Sequence, residues 1–148
     1  MHIYYLLVAA LLLLSYNAAT AQQDICTGFR ITSPTEQGLQ WTAGQCYQVS
    51  YDFANVAPFL DIGGADGKAK ISVDVYNAET NVKAANVVEK EPLNTFGATK
   101  TFNMEAPVTG AYYYLITLFH GANDEQCEPK RSVTFEVNVN PHSPPAQC

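Results

Sequence analysis

Tyr112-Tyr113-Tyr114-Leu115-Ile116-Thr117-Leu118-Phe119 is the stretch on which the reading of this chain turns. Successive side chains of an extended strand point to opposite faces. Tyr112, Tyr114, Ile116 and Leu118 therefore share one face, and Tyr113, Leu115, Thr117 and Phe119 share the other. Both faces are apolar, and the run is rich in the aromatic and β-branched residues that suit a pleated surface. It suits a central strand covered on both sides, or one that presents a partner surface.

Runs on either side alternate more cleanly. Tyr47, Val49, Tyr51 and Phe53 interleave with Gln48, Ser50 and Asp52; Ile71, Val73 and Val75 interleave with Ser72, Asp74 and Tyr76. Val133, Phe135, Val137 and Val139 interleave with Ser132, Thr134, Glu136 and Asn138, and Phe29 and Ile31 with Arg30 and Thr32. Each is the pattern of a strand with one face in a core and one in water. Weaker strands are expected at 82–90 and 99–104, and turn residues separate all of them, among them Ser33-Pro34, Asp66-Gly67 and Gly121 to Pro129. No segment carries a helical stripe with caps. Strands at 28–33, 46–53, 69–76, 82–90, 99–104, 111–119 and 131–139 predict an all-β fold, an immunoglobulin-like two-sheet antiparallel sandwich of about seven strands.

The ends set the compartment. Ile3 to Leu14 is apolar and uncharged, and Ala19-Thr20-Ala21 has the small-x-small form of a signal-peptidase site. The n-region lacks Lys and Arg, which is atypical. The competing reading is a membrane anchor, but twelve residues of helix span only about 18 Å against a bilayer core of roughly 30 Å. The expectation is a signal peptide at 1–21, a domain at 22–140 and a Pro-rich tail at 141–148 that ends in Cys148. No second spanning stretch, hydrophobic anchor tail or Asn-x-Ser/Thr sequon follows. A net charge of −6 without a basic patch argues against nucleic acid and anionic membrane as partners.

Three stretches together resemble a known family. The first is Ile31-Thr32-Ser33-Pro34-Thr35 followed by Trp41-Thr42-Ala43-Gly44-Gln45 and Tyr47-Gln48-Val49-Ser50-Tyr51. The second is Val73-Asp74-Val75-Tyr76-Asn77. The third is Thr109-Gly110-Ala111-Tyr112-Tyr113-Tyr114-Leu115 with Ser132-Val133-Thr134-Phe135-Glu136-Val137 downstream. Their order and spacing resemble the N-terminal immunoglobulin-like domain of fungal KNH-like cell-wall β-1,6-glucan synthesis proteins. That module also occurs in Ser/Thr-rich, GPI-anchored surface proteins. The resemblance spans 28–139 and implies a secreted sandwich without known chemistry, associated with the fungal wall. This chain differs in having four cysteines, a long connection at 53–68, and neither stalk nor anchor.

Cys26, Cys46, Cys127 and Cys148 all fall after the leader, and an even count in an oxidising compartment reads as two disulfides. Spacing alone permits three pairings. In an immunoglobulin-type sandwich the first and last strands run one way, and the second and sixth run the other. Cys26, before the first strand, and Cys127, between the last two, then share one end. Cys46, opening the second strand, and Cys148, after the last, share the opposite end. Seven residues of strand span about 23 Å, whereas bridged Cα atoms lie about 4.4–6.8 Å apart. Cys26–Cys127 with Cys46–Cys148 is the expected set. Cys148 could also pair between chains.

Residues that could carry chemistry are few. His120 and His142 are the only histidines beyond the leader, and His120, at the end of its strand, reads as a solvated loop residue. No Gly-x-Ser-x-Gly occurs, and Glu89 and Glu91 beside Lys90 read as a charged edge. Without Cys-x-x-Cys spacing, a zinc site is not expected. Asp61 and Asp66, on a glycine-rich loop, are weak calcium candidates. Trp41 and Tyr112 read as structural: Trp41 packs at the core edge, and Tyr112 is placed to form a tyrosine corner. Strand parity can put Tyr76 and Tyr113 outside the core, where aromatic faces suit sugar stacking.

The functional expectation is a secreted, non-enzymatic binding or structural module without cofactors, associated with cell-wall polysaccharide such as glucan or with an extracellular protein. One alternative is a small interaction protein acting on a host or neighbouring cell. Another is a lipid-carrying sandwich.

Overall fold

The computed structural model describes residues 25–53 and 69–148. The expected leader, and the loop that carries Asp61 and Asp66, lie outside the described residues.

After one helical turn, α1 (Ile25–Gly28), the chain enters β1 (Arg30–Ser33). A turn through Gly38 leads to β2 (Gln40–Thr42), and the run 46–53 contributes β3 (Cys46–Tyr47) and β4 (Ser50–Asp52). β5 (Lys70–Asn77) and β6 (Lys83–Pro92) form a hairpin, and β7 (Phe102–Asn103) follows. The longest strand, β8 (Gly110–His120), is succeeded by β9 (Glu125–Gln126), β10 (Lys130–Arg131) and β11 (Phe135–Asn138).

One layer is the run 46–53 with β1 on one side and β7 on the other. Ile31 faces Tyr51, Tyr47 faces Phe102, and Ser50 bridges Ala98. Gly97 makes that layer possible: Tyr51 N donates to its carbonyl at 2.8 Å, and a Cβ there would stand 2.6 Å from the Tyr51 carbonyl oxygen. Its φ of +68° is also the left-handed conformation that glycine adopts without penalty.

The second layer has the order β2-β11-β8-β5-β6, with β9 and β10 also paired to β8. β8 sits in the middle, as its two apolar faces require. β9, β10 and β11 are one broken strand: Lys130 pairs Ile116, whereas Phe135 pairs Tyr112, so the register slips by one residue between them. Ser132 fills the slip, because its Oγ accepts from Tyr114 N at 2.8 Å and donates to the Val133 carbonyl at 2.8 Å.

Inward parity builds the core. Phe29, Val49, Tyr51 and Phe53 from one layer meet Ile71, Val73, Val75, Tyr112, Tyr114, Ile116, Leu118, Phe135 and Val137 from the other, each 2% exposed or less. Burying each large aliphatic or aromatic side chain is worth roughly 1.5–3 kcal/mol, so this interface dominates stability. Trp41 closes one edge: its ring lies 4.4 Å from Tyr47 of the first layer and 4.3 Å from Phe135 of the second. The fold is the expected immunoglobulin-like sandwich.

Both disulfides pair as strand direction required. Cys26–Cys127 has a Cα separation of 5.5 Å and Cys46–Cys148 of 5.8 Å. Cys148 pairs within the chain, and the tail folds back so that Ala146 N donates to the Gly44 carbonyl at 2.7 Å.

Four local expectations change. β2 was not anticipated, and it pairs parallel to β11, with Trp41 opposite Val137, so the second sheet is not wholly antiparallel. The expected strand at 99–104 keeps regular pairing only at Phe102–Asn103, and the last strand breaks at the Ser132 slip. The strand at 82–90 extends to Pro92 and joins the β5 sheet, with Lys90 at a φ of +43°.

Candidate functional site

Among the described residues, two places concentrate polar and aromatic groups. The first is the outer face of the second layer. Tyr76 and Tyr113 are cross-strand partners on β5 and β8, and their rings stack at 5.5 Å with 16° between planes. The Arg131 guanidinium sits 3.7 Å from the Tyr113 ring centroid, and the Tyr113 hydroxyl donates to Asn81 Oδ1 at 3.2 Å. Asn81 is held by the β5–β6 turn, in which Asn77 Oδ1 accepts from the backbone N–H groups of Glu79 and Thr80.

This arrangement separates the two tyrosines. Tyr113 is 6% exposed, covered by Arg131 and stacked on Tyr76. It lies outside the core, as parity allows, but acts as the floor of the patch. Tyr76 is half-buried and reaches the surface. Beside them Asp74 accepts from Lys83 at 2.7 Å and from Asn86 Nδ2 at 2.8 Å. That hydrogen bond, outweighing partial desolvation, holds the Lys83 ammonium above the usual lysine range. Further along the face, Asp124 takes Lys70 at 2.9 Å and Lys90 at 3.3 Å, and these bonds hold its carboxyl below the usual range. Lys90 also lies 4.9 Å from the Phe119 ring centroid.

The second place is the end of the sandwich closed by Cys26–Cys127. His120 is the last residue of β8, two positions after the inward-facing Leu118. Cys127 N donates to the Leu118 carbonyl at 2.9 Å, so Cys127 lies across from Leu118 on that face. One His120 nitrogen and both sulfurs fall within 4.8 Å of one another. The sulfurs are joined to each other, which removes them as thiolate ligands in this form. Glu125 Oε2 lies 3.9 Å from His120 Nδ1. The expected solvated loop histidine is instead packed against the disulfide, its side chain 27% exposed.

The Tyr112 hydroxyl donates to the Val108 carbonyl at 2.7 Å, which is the anticipated tyrosine corner. Glu91 does not face Glu89 across a cleft: its Oε1 accepts from Lys100 N at 2.8 Å.

No known protein-family model matches the chain, and no curated protein sequence does. Among solved structures, the chain is similar to the soluble domain of PmoD from Methylocystis sp. ATCC 49242 (Rockwell). The identity is 14%, the TM-score is 0.41, and the match covers 74% of this chain and 90% of that one.

Proposed function

We propose that this chain is an exported, non-enzymatic binding module whose outer sheet face engages a cell-wall polysaccharide of the glucan class. The observation that carries the reading is the Tyr76–Tyr113–Arg131 stack, flanked by Asn81, Asn86, Asp74 and Lys83. Sugar rings present apolar C–H faces edged by hydroxyls. They bind where an aromatic face is bordered by fixed amide, carboxylate and ammonium groups. Here the aromatic is held from below and the polar groups are already hydrogen-bonded, so little ordering is left to the binding step. Two disulfides and a leader-like N-terminus support export, and the resemblance to the KNH-like module supports a wall setting.

Retention on insoluble β-glucan and on chitin tests this reading. The protein is retained on glucan, and Tyr76→Ala releases it without lowering its melting temperature by more than a few degrees. Absence of retention on either polymer, or equal retention of the variant, removes the polysaccharide reading. An interaction protein acting on a host or neighbouring cell is the second reading, favoured by the exposed Phe96 (92%) and Val82 (62%). A lipid carrier is disfavoured because Phe29, Phe53, Phe102, Tyr114 and Phe135 pack ring to ring in the interior a lipid tail would need.

A further inference from the structure

We infer that the Cys26–Cys127 disulfide masks a metal site, and that its reduction creates a Cys2His centre for Zn2+ from the two sulfurs and His120. The three potential ligand atoms already lie within 4.8 Å of one another. A tetrahedral zinc with Zn–S near 2.3 Å and Zn–N near 2.0–2.1 Å sets its ligand atoms roughly 3.5–3.8 Å apart. Once the S–S bond is open, side-chain rotation covers that difference and the backbone need not move.

The surroundings suit a metal better than a chance cluster would. Two ligands sit on or next to the β8–β9 hairpin, which is held by its own backbone pairs Phe119–Gln126 and His120–Glu125. Cys26 lies in the helical turn Ile25–Gly28, which is tied to the core by Phe29, 1% exposed, whose N–H donates to the Ile25 carbonyl. Cys127 is 5% exposed while Cys26 and His120 are half-buried, so the ion would be shielded on the Cys127 side and reach water on the other. Two thiolates cancel the charge of Zn2+, which avoids burying a net charge. A recess lined by Cys26, Thr27, Glu128, Pro129 and Lys130 opens beside Cys26, the side from which a reductant would reach the bridge.

The chemistry balances with a dithiol as reductant. The dithiol supplies two electrons and two protons and closes its own disulfide, while the Cys26–Cys127 bond breaks to give two thiols. Zn2+ then displaces both thiol protons, which leave to water, and two Zn–S bonds form. Neutral His120 supplies the third ligand, and a water takes the fourth position, as in open three-ligand zinc sites.

The test titrates the mature protein with Zn2+, and with Co2+ as a spectroscopic probe, before and after treatment with a dithiol under anaerobic conditions. The reduced chain binds one ion, shows a thiolate-to-cobalt charge-transfer band, and recovers melting temperature in Zn2+ relative to chelator. The oxidised chain does none of these. Cys46→Ser/Cys148→Ser keeps the response and Cys26→Ser/Cys127→Ser loses it. His120→Ala weakens binding by about tenfold or more while leaving the melting temperature of the oxidised protein in place. Four results overturn the inference: equal binding by the oxidised chain, equal binding by His120→Ala, a response that follows Cys46 and Cys148 instead, and a reduced chain that unfolds and is not refolded by Zn2+.

Discussion

Replacing Tyr114 by phenylalanine should stabilise this protein, although the residue lies at the centre of the core. Tyr114 is 0% exposed, and its hydroxyl has no hydrogen-bond partner among the described residues. Burial also pushes its phenol pKa well up, so the group stays neutral across the working range. A buried hydroxyl without a partner costs about 1–3 kcal/mol in lost hydration. Deleting the oxygen leaves a void smaller than a water molecule, under about 30 Å3, which at about 24 cal/mol per Å3 costs less than about 0.7 kcal/mol. The ring contacts to Phe102 and Phe135 remain. The net expectation is a gain of at least about 0.3 and up to about 2.3 kcal/mol, read as a rise of roughly 1–9 °C in melting temperature for a domain of this size. Tyr112→Phe is the matched control. Tyr112 lies two residues earlier on the same face, but its hydroxyl donates to the Val108 carbonyl at 2.7 Å. Its loss should cost about 1 kcal/mol. Urea unfolding of both variants with unchanged m-values provides the measurement. A Tyr114→Phe variant destabilised by 1 kcal/mol or more would mean that the hydroxyl has a hydrogen-bond partner after all.

Three other perturbations have defined outcomes. Cys46→Ser/Cys148→Ser opens a loop closed across 102 residues and should lower stability by up to about 4.7 kcal/mol while the spectrum of the folded state persists; an unchanged urea midpoint would contradict this. Gly97→Ala should be destabilising and should loosen the 46–53 layer, since the new Cβ meets the Tyr51 carbonyl oxygen at a φ of +68°; amide exchange at Tyr51 reads it. Asp124→Asn tests the Lys70–Asp124–Lys90 cluster. The folded carboxyl titrates below its unfolded value of about 3.9, so its contribution is present above that pH and is lost as pH falls through the lower folded value. The variant should therefore be less stable than the parent at neutral pH and converge with it in acid. A constant difference at every pH would refute the assignment.

The long periodic runs were legible because burial of one face imposes period two. Ile71 to Tyr76 and Tyr112 to Phe119 sit within a residue or two of the observed β5 and β8. The disulfide pairing was legible for a related reason: strand direction determines which cysteines share an end of the sandwich. β2 was not, because Gln40-Trp41-Thr42 is too short to show a period and its parallel partner lies almost a hundred residues away. His120 was misread through a boundary. Carrying the β8 parity one residue past Phe119 places it on the face of Leu118, towards the disulfide, whereas ending the strand at Phe119 leaves it in a loop. Nothing in linear spacing relates it to Cys26 and Cys127, whose separation of 101 residues hides their proximity. Tyr113 shows the limit of parity, which assigns a face but does not reveal that Arg131 covers it.

The proposed export to an oxidising environment and the two bridges, Cys26–Cys127 and Cys46–Cys148, share one direct test. Mass mapping of tryptic peptides without reduction, on protein recovered from the culture medium, provides it. Cleavage at Arg30, Lys68, Lys100, Lys130 and Arg131 puts each cysteine on a separate peptide. The expected spectrum links the Cys26 peptide to that of Cys127 and the Cys46 peptide to that of Cys148. A Cys26–Cys46 linkage, or four free thiols in the secreted protein, would contradict it.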